Sequence, residues 1–402
     1  MTAQLTLDDI DLSDPDLFAS GDPHAVWTYL RANAPVFFQS HAVGPGFWAI
    51  TRYDDVVRLS SDPRLGSAGG RSTTAQPAPP DSQMADVLVT TDPPRHTQLR
   101  ALVNKAFTPR SIAALEPYVQ RAVDRLVDEL VDADRTDFAA DVASRLPFDV
   151  ICELLGVLPA DRPALRHAFG HFMETEKGVV GAERPTFDLG RFFLELADER
   201  RARPRDDLVT RLVQAEIDGE RMTNRDVLAL CALLFVAGSE TTMNSISGGL
   251  LALLEHPHQR ERLEADPDLW PRAIEEILRW VTPVLNGMVR TATADIEVRG
   301  VQIASGDKVT LWYPSANRDE EHFADPFVFD ITRTPNDHVA FGAGQHFCLG
   351  ASLARLETRV TLRTVLQRLT DIEPDGEVTR LRSNVMHAIE HLPVRYRARG
   401  KA

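Results

Sequence analysis

The sequence predicts a mainly α protein with small β-sheets, folded as one body over residues 1–402. Three observations carry this. Apolar residues recur at helical spacing through most of the chain. One run near residue 240 is long enough for a helix that crosses the whole molecule. Strand-like alternation is confined to short stretches, most of them late in the chain. No repeat, linker or low-complexity tail divides it.

The elements follow in order. "DPHAVWTYLRANAP" reads as a short amphipathic helix ended by Pro35, and "GFWAITRYDDVVRLSSDP" as a strand, a turn and a helix. Gly66 to Ser82 is rich in Gly, Ser, Pro and Ala and reads as a loop, of a length that often has a function. Helices are expected from Arg95 to Phe107, Ser111 to Leu130 and Ala140 to Leu155. An arginine-rich helical stretch ends near "RRARPRDD". Short strands are expected in "ADIEVRG", "KVTLWYP" and "LPVRYRA".

The long helix lies in "MTNRDVLALCALLFVAGSETTMNSISGGLLALLEHP". Thr223 with Asp226 three residues later is a capping-box-like start, and Pro257 marks the stop. At about 1.5 Å per residue the helix between is roughly 48 Å long. It is apolar on nearly all sides before Gly238, which predicts burial. "AGSETT" interrupts it. Gly238 costs about 1 kcal/mol relative to alanine, and Glu240 is expensive to bury without a partner. Two readings fit. A functional site breaks the local rules here, or Gly238 makes a tight helix crossing while Thr241 and Thr242 bond back to the preceding turn.

Lys and Arg total 44 against 59 Asp and Glu, a net charge of −15, so no nucleic-acid partner is expected. The N-terminus is acidic and lacks a long apolar run. The richest run, "VLALCALLFVAG", stops at Gly238-Ser239-Glu240. No membrane anchor is expected, and the expected location is cytoplasmic. Of three cysteines, Cys152 and Cys231 sit in apolar helical runs and read as small buried hydrophobes. Cys348 differs. It sits in "FGAGQHFCLG" among glycines, which are costly in regular structure.

Three segments together resemble the cytochrome P450 family. "FGAGQHFCLGASLARLE" matches the haem-ligand signature, "AGSETT" the oxygen-activation motif of the long central helix, and "EILR", Glu276 to Arg279, the ExxR motif. Order and separation fit over essentially the whole chain. The resemblance implies the cytochrome P450 fold, a single haem domain with a long central helix, and haem b (iron protoporphyrin IX) with Cys348 as its protein ligand. Thiolate pushes electron density to iron and favours O–O cleavage. The glycines, Gly342 and Gly350 among them, let backbone N–H groups approach the sulfur. Phe341 shields it from water. By the same resemblance His96, Arg100, Arg290 and His346 meet the haem propionates, and Ala237 and Gly238 make room for O2. Glu240 and Thr241 correspond to the acid–alcohol pair that moves protons. Glu276, Arg279 and Arg333 form a buried structural network. Arg95 stands where the family usually has glutamate, and is expected to alter surface charge rather than haem binding.

The family reaction is insertion of one oxygen atom from O2 into an unactivated C–H bond. No flavin or iron–sulfur segment is evident, so electrons are expected from a ferredoxin and its reductase. Arg95, Lys105, Arg110, Arg355, Arg359 and Arg363 fall in segments that the family places on the cysteine side, an expected basic docking face. An H2O2-dependent peroxygenase would replace Glu-Thr, which this chain keeps. A non-catalytic relative would often lose the cysteine or the threonine. Framework segments look most like actinobacterial enzymes acting on steroids, terpenoids and branched lipids. Tailoring of a polyketide or a carrier-bound peptide is the alternative. Pocket candidates by family position are the Gly66–Ser82 loop, Leu233, Val236, Ala237, Leu285, Asn286, Val385 and Met386, with Asn286 able to orient a substrate oxygen.

Overall fold

The computed structural model describes residues 5–19, 23–40, 46–68, 88–176, 188–287 and 289–399. The N-terminal quarter forms α1 (His24–Asn33), β1 (Val36–Gln39), β2 (Phe47–Ile50), α2 (Tyr53–Ser60) and β3 (Leu65–Gly66). The expected loop from Gly66 to Ser82 is described only to residue 68; its remainder lies outside the described residues. Next come α3 (Arg95–Asn104) and α4 (Pro109–Leu130). Thr108 caps α4 by accepting the Ser111 N–H at 3.2 Å, with Pro109 in the first turn, where its missing N–H costs nothing.

β4 (Arg135–Asp137) precedes α5 (Arg145–Leu155), then α6 (Arg162–Glu176) and α7 (Leu189–Ala202). The single helix expected from Ala140 is split: residues 139–143 are a π turn, in which Ser144 Oγ donates to the Ala140 carbonyl at 2.7 Å. Gly156, at φ 79°, ends α5.

The central helix α8 (Asn224–Glu255) matches its sequence signals at both ends. Thr223 and Asp226 form the capping box. The helix is long and apolar enough to span a membrane by length and composition, but its apolar surface is used inside the fold. Its Phe235 ring meets Phe148 of α5 at 5.1 Å, Phe169 of α6 at 4.8 Å and Phe193 of α7 at 5.9 Å. Further along it contacts α9 (Trp270–Val281) closely. A Cβ on Gly248 would stand 2.7 Å from Val281, and one on Gly249 would stand 2.8 Å from Ile277 and 3.0 Å from Leu362.

β5 (Arg290–Ala292) and β6 (Lys308–Leu311) complete a five-stranded sheet in the order β1-β2-β6-β5-β3. β2 and β6 pair in parallel, with Trp48 opposite Val309 and Ile50 opposite Leu311. The other pairs are antiparallel. α10 (Ala351–Arg368) starts directly after the Cys348 loop, and β7 (Leu369–Pro374), β8 (Pro393–Ala398) and β4 form a second sheet. Leu362 belongs to α10, so the two glycines seat α8 against α9 and α10 together. The main core joins α4, α5 and α7 to α10, with a smaller core under the five-stranded sheet. The mainly helical body with small sheets is thus as the sequence predicts.

Candidate active site

The loop from Phe341 to Gly350 is built by backbone geometry. Gly342 and Gly344 both have φ 69°, a conformation that L side chains rarely adopt. Space is short as well: a Cβ at Gly344 would collide with the carbonyl oxygen of Ser60 at the end of α2. The Cys348 N–H donates to Phe341 O at 2.9 Å and closes the loop. Burial pushes the Cys348 thiol up, opposed by the Gly350 N–H bonded to its sulfur and by the charges of Arg100 and Arg355. Gly350 itself has φ −85° and nothing within 4 Å of where a Cβ would stand. Its N–H serves the sulfur, but its glycine identity keeps a wall open and does not permit a turn.

Cys348 opens onto a cavity of ≈ 240 Å³. The same cavity is lined by Leu233, Ala237, Gly238 and Thr241 from α8, and by His96 and Arg100 from α3. Phe341, His346 and Gly350 line it from the loop. Residues far apart in sequence therefore meet at one place. Leu88, Val89, Ile151, Leu234 and Val284 add apolar wall that sequence reasoning missed. So do the hydroxyl residues Thr242 and Ser245, one turn along the face of α8 that carries Gly238 and Thr241; that spacing was the available signal.

Thr241 Oγ1 donates to Ala237 O at 2.8 Å, the back-bond that the plainer reading of this segment required, while the residue also lines the cavity. Gly238 is not a tight crossing: a Cβ there would meet Ile151 at an ordinary 3.5 Å. The close crossing is at Gly248 and Gly249, which sequence reasoning passed over. Glu240 is half-buried, and its carbonyl accepts from Asn244 Nδ2 at 2.8 Å; Asn244 Oδ1 takes the Ile389 N–H at 2.9 Å.

Of the four expected propionate partners, His96, Arg100 and His346 line the cavity and Arg290 does not. His96 is 2% exposed, and its Nε2 has no partner among the described residues. Its ring lies 4.2 Å from that of His346, whose Nε2 pairs with Ser67 Oγ at 2.9 Å. Burial, reinforced by Arg290 and His96, pulls His346 down to about 3, so it is neutral at pH 7. Arg100 donates to Gln345 O at 3.2 Å and Phe347 O at 2.6 Å. Arg290 is buried on β5, with no ion pair among the described residues.

Four pocket candidates lie elsewhere, and Val236 is a fifth. Leu285 is fully buried in a separate cluster with Phe18, Trp27 and Trp312. Asn286 is buried, does not line this cavity, and its Nδ2 donates to Asn384 O at 2.8 Å. Val385 accepts the Leu285 N–H at 2.9 Å, and Met386 bridges to Val284, so both act as backing for the cavity wall. Val236 packs against the main core.

Glu276 and Arg279 on α9 are both 0% exposed. Arg279 Nε and Nη2 donate to Glu276 at 2.8 and 2.7 Å, and its other N–H groups reach the carbonyls of Asn317, Pro326 and Val328. Arg333 Nε reaches Glu276 at 3.2 Å, and Arg333 also donates to Ala324 O and Val328 O. Asn336 Nδ2 and the Asp330 N–H complete the set, two partners the sequence did not reveal.

The expected basic face is partly neutralised. Arg95 pairs with Asp226 at 2.7 Å, Arg355 with Glu275 at 2.7 Å and Arg359 with Glu116 at 3.0 Å. Lys105 and Arg110 are exposed and carry no ion pair among the described residues.

These residues fit a haem. No cluster of His, Cys, Asp and Glu suited to a metal occurs among the described residues. The orphaned His96 Nε2 and the open wall at Gly350 suit the polar edge and the face of such a group.

Comparison with known proteins agrees. The family model for cytochrome P450 matches residues 173–390. A methyl-branched lipid omega-hydroxylase of Mycobacterium tuberculosis is 40% identical, over 97% of this chain and 95% of its own. A steroid C26-monooxygenase of Mycolicibacterium smegmatis is 38% identical, over 98% of both. The structure of a Mycobacterium marinum cytochrome P450 in complex with pseudoionone superimposes with a TM-score of 0.88 at 36% identity, covering 98% of this chain and 100% of that one. With a cysteine loop facing a threonine on a long central helix, and relatives matching over nearly the whole length, the chain belongs to the cytochrome P450 family and is a haem-thiolate monooxygenase.

Proposed function

We propose that residues 1–402 form a single haem domain holding haem b through Cys348, which hydroxylates a hydrophobic steroid, terpenoid or branched lipid in the cytoplasm. The observation that carries this reading is the shared cavity: Cys348, Thr241 and the apolar wall at Leu88, Val89, Leu233 and Leu234 all face it. Haem, when bound, supplies the oxygen activation. The protein's residues supply the rest. His96, Arg100, Arg290 and His346 would meet the propionates. Phe341 keeps water from the sulfur. Thr241 presents hydroxyl lone pairs to the cavity while its proton is engaged with Ala237 O; it would pass that proton on only by breaking the back-bond, with Glu240 replacing it from solvent. The apolar wall excludes water from the reacting carbon.

The substrate class is supported by the two relatives named for a methyl-branched lipid and a steroid. A ferredoxin with its reductase would supply electrons, docking at the exposed Lys105 and Arg110. The test is titration of the ferric protein with a steroid ketone, a methyl-branched fatty acid and a carrier-linked acyl thioester, reading the spin-state shift of the Soret band. A low- to high-spin shift with one of the first two is expected. A shift with the thioester alone would overturn the substrate class in favour of a tailoring enzyme.

A further inference from the structure

We infer that Glu275 and Arg355 act as a positioning pair that raises the reduction potential of the Cys348 site by fixing a guanidinium against Phe341. Adjacent glutamates on α9 have separate tasks. Glu276 enters the buried network with Arg279, whereas Glu275 faces α10. There it takes Arg355 Nε at 2.7 Å and Nη2 at 2.8 Å, a fork-to-fork pair. Its Oε2 also lies 3.2 Å from His338 Nε2. The Arg355 guanidinium carbon stands 4.6 Å from the centroid of the Phe341 ring. Phe341 in turn accepts the Cys348 N–H through its carbonyl. The cation is thus held by a carboxylate at its edge and by a ring at its face, and that ring belongs to the residue bonded to the thiolate's own amide. Lysine could match the charge but not this planar grip.

The consequence is electrostatic. Arg355 is the cation fixed against the cysteine loop, and Glu275 offsets part of its charge while holding it in place. Adding one electron to the thiolate-ligated iron makes the site more negative, and a fixed neighbouring cation stabilises that state. Without the cation, reduction is harder.

This rests on Cys348 being the haem-iron ligand, and the experiment separates the two ideas. Full-length haem-loaded wild type, Arg355→Gln, Arg355→Lys and Glu275→Asp are titrated anaerobically with dithionite and mediator dyes, and each ferrous carbonyl spectrum is recorded. For Arg355→Gln the ferric–ferrous equilibrium should move at least tenfold towards ferric, which is 59 mV for one electron. Arg355→Lys and Glu275→Asp, which keep the charges but lose the fork, should fall between it and wild type. A purely packing role would lower haem content or stability and leave the potential unchanged. A thiolate-type carbonyl spectrum with an unshifted potential in Arg355→Gln overturns the inference. A wild-type spectrum without thiolate character overturns the haem-ligand reading instead. If Arg355→Gln does not retain haem, Arg355→Lys decides, and a wild-type potential there overturns the pair.

Discussion

Replacing Arg279 by methionine should be among the most damaging single changes in this protein that touch neither cavity nor cysteine. Arg279 and Glu276 are fully buried, and Arg279 makes two bonds to Glu276 and three to backbone carbonyls. Methionine fills much of the volume but donates nothing. Breaking a buried pair from one side costs about 3–5 kcal/mol, because the remaining charge stays buried. Arg333, Asn336 and the Asp330 N–H still reach Glu276 and hold the cost towards the lower end. The orphaned carbonyl of Asn317 adds about 1–3 kcal/mol where water cannot reach it, whereas Pro326 O keeps Arg318 Nη1 at 3.2 Å. A loss of at least about 3 kcal/mol is expected, large against the usual 5–15 kcal/mol of a domain. The assay is urea unfolding followed by circular dichroism, with haem content measured in parallel. The double variant Glu276→Leu/Arg279→Met should recover part of the loss, since no fully buried charge remains and only the partly exposed Arg333 loses its carboxylate. A loss below about 1 kcal/mol, or a double variant worse than the sum of the singles, would refute the account of a buried, mutually dependent pair.

Other expectations follow from the site. Cys348→His should abolish the red-shifted Soret band of the reduced carbonyl complex, read by difference spectroscopy. Thr241→Ala should keep haem and substrate binding while NAD(P)H is consumed with less product and more H2O2; full coupling would leave Thr241 as a helix residue bonded to Ala237. Reversing Lys105 and Arg110 to glutamate should slow reduction by ferredoxin at low salt, with the difference shrinking above about 0.1 M, where the screening length is about 10 Å; stopped-flow rates that ignore salt would put docking elsewhere. For Glu275, burial alone would raise the carboxyl, but its bonds to His338 and Arg355 outweigh that and hold it at about 2 against an ordinary 4.5. The resulting stabilisation is present above pH 4.5 and lost as pH falls towards 2. At 1.36 kcal/mol per unit it is at most about 3 kcal/mol, less after solvent screening. Glu275→Gln should therefore destabilise most above pH 5 and hardly at all near pH 2, and a gap constant across that range would contradict it.

Local signals with a single physical meaning were legible in the sequence. Thr223 with Asp226 fixed the start of α8 because a capping box is decided by residues three apart. The loop glycines were legible for a similar reason: positive φ leaves few choices of residue. Pairings across the chain were not legible. Nothing near Arg355 in sequence announces Glu275, eighty residues away. Asn286 looked like a free polar group because its partner, the Asn384 carbonyl, belongs to a distant strand-like segment. Arg95 looked like a change of surface charge, and in fact ties α3 to the cap of α8 through Asp226. Gly238 drew attention as the glycine beside the motif, whereas steric necessity fell on Gly248 and Gly249, whose neighbours only the tertiary fold supplies.

Those two glycines amount to a gauge block. Thr241 rides on α8, and Cys348 sits immediately before α10; the two helices touch where Gly249 meets Leu362. The gap between oxygen side and thiolate side is then dimensioned by backbone-to-side-chain contact two turns beyond Thr241, and not by the loops that carry the chemistry. A methyl group there would prise α8 away from α9 and α10 and widen the gap without altering any residue that faces it. Tolerance in the active site is machined at a joint outside it.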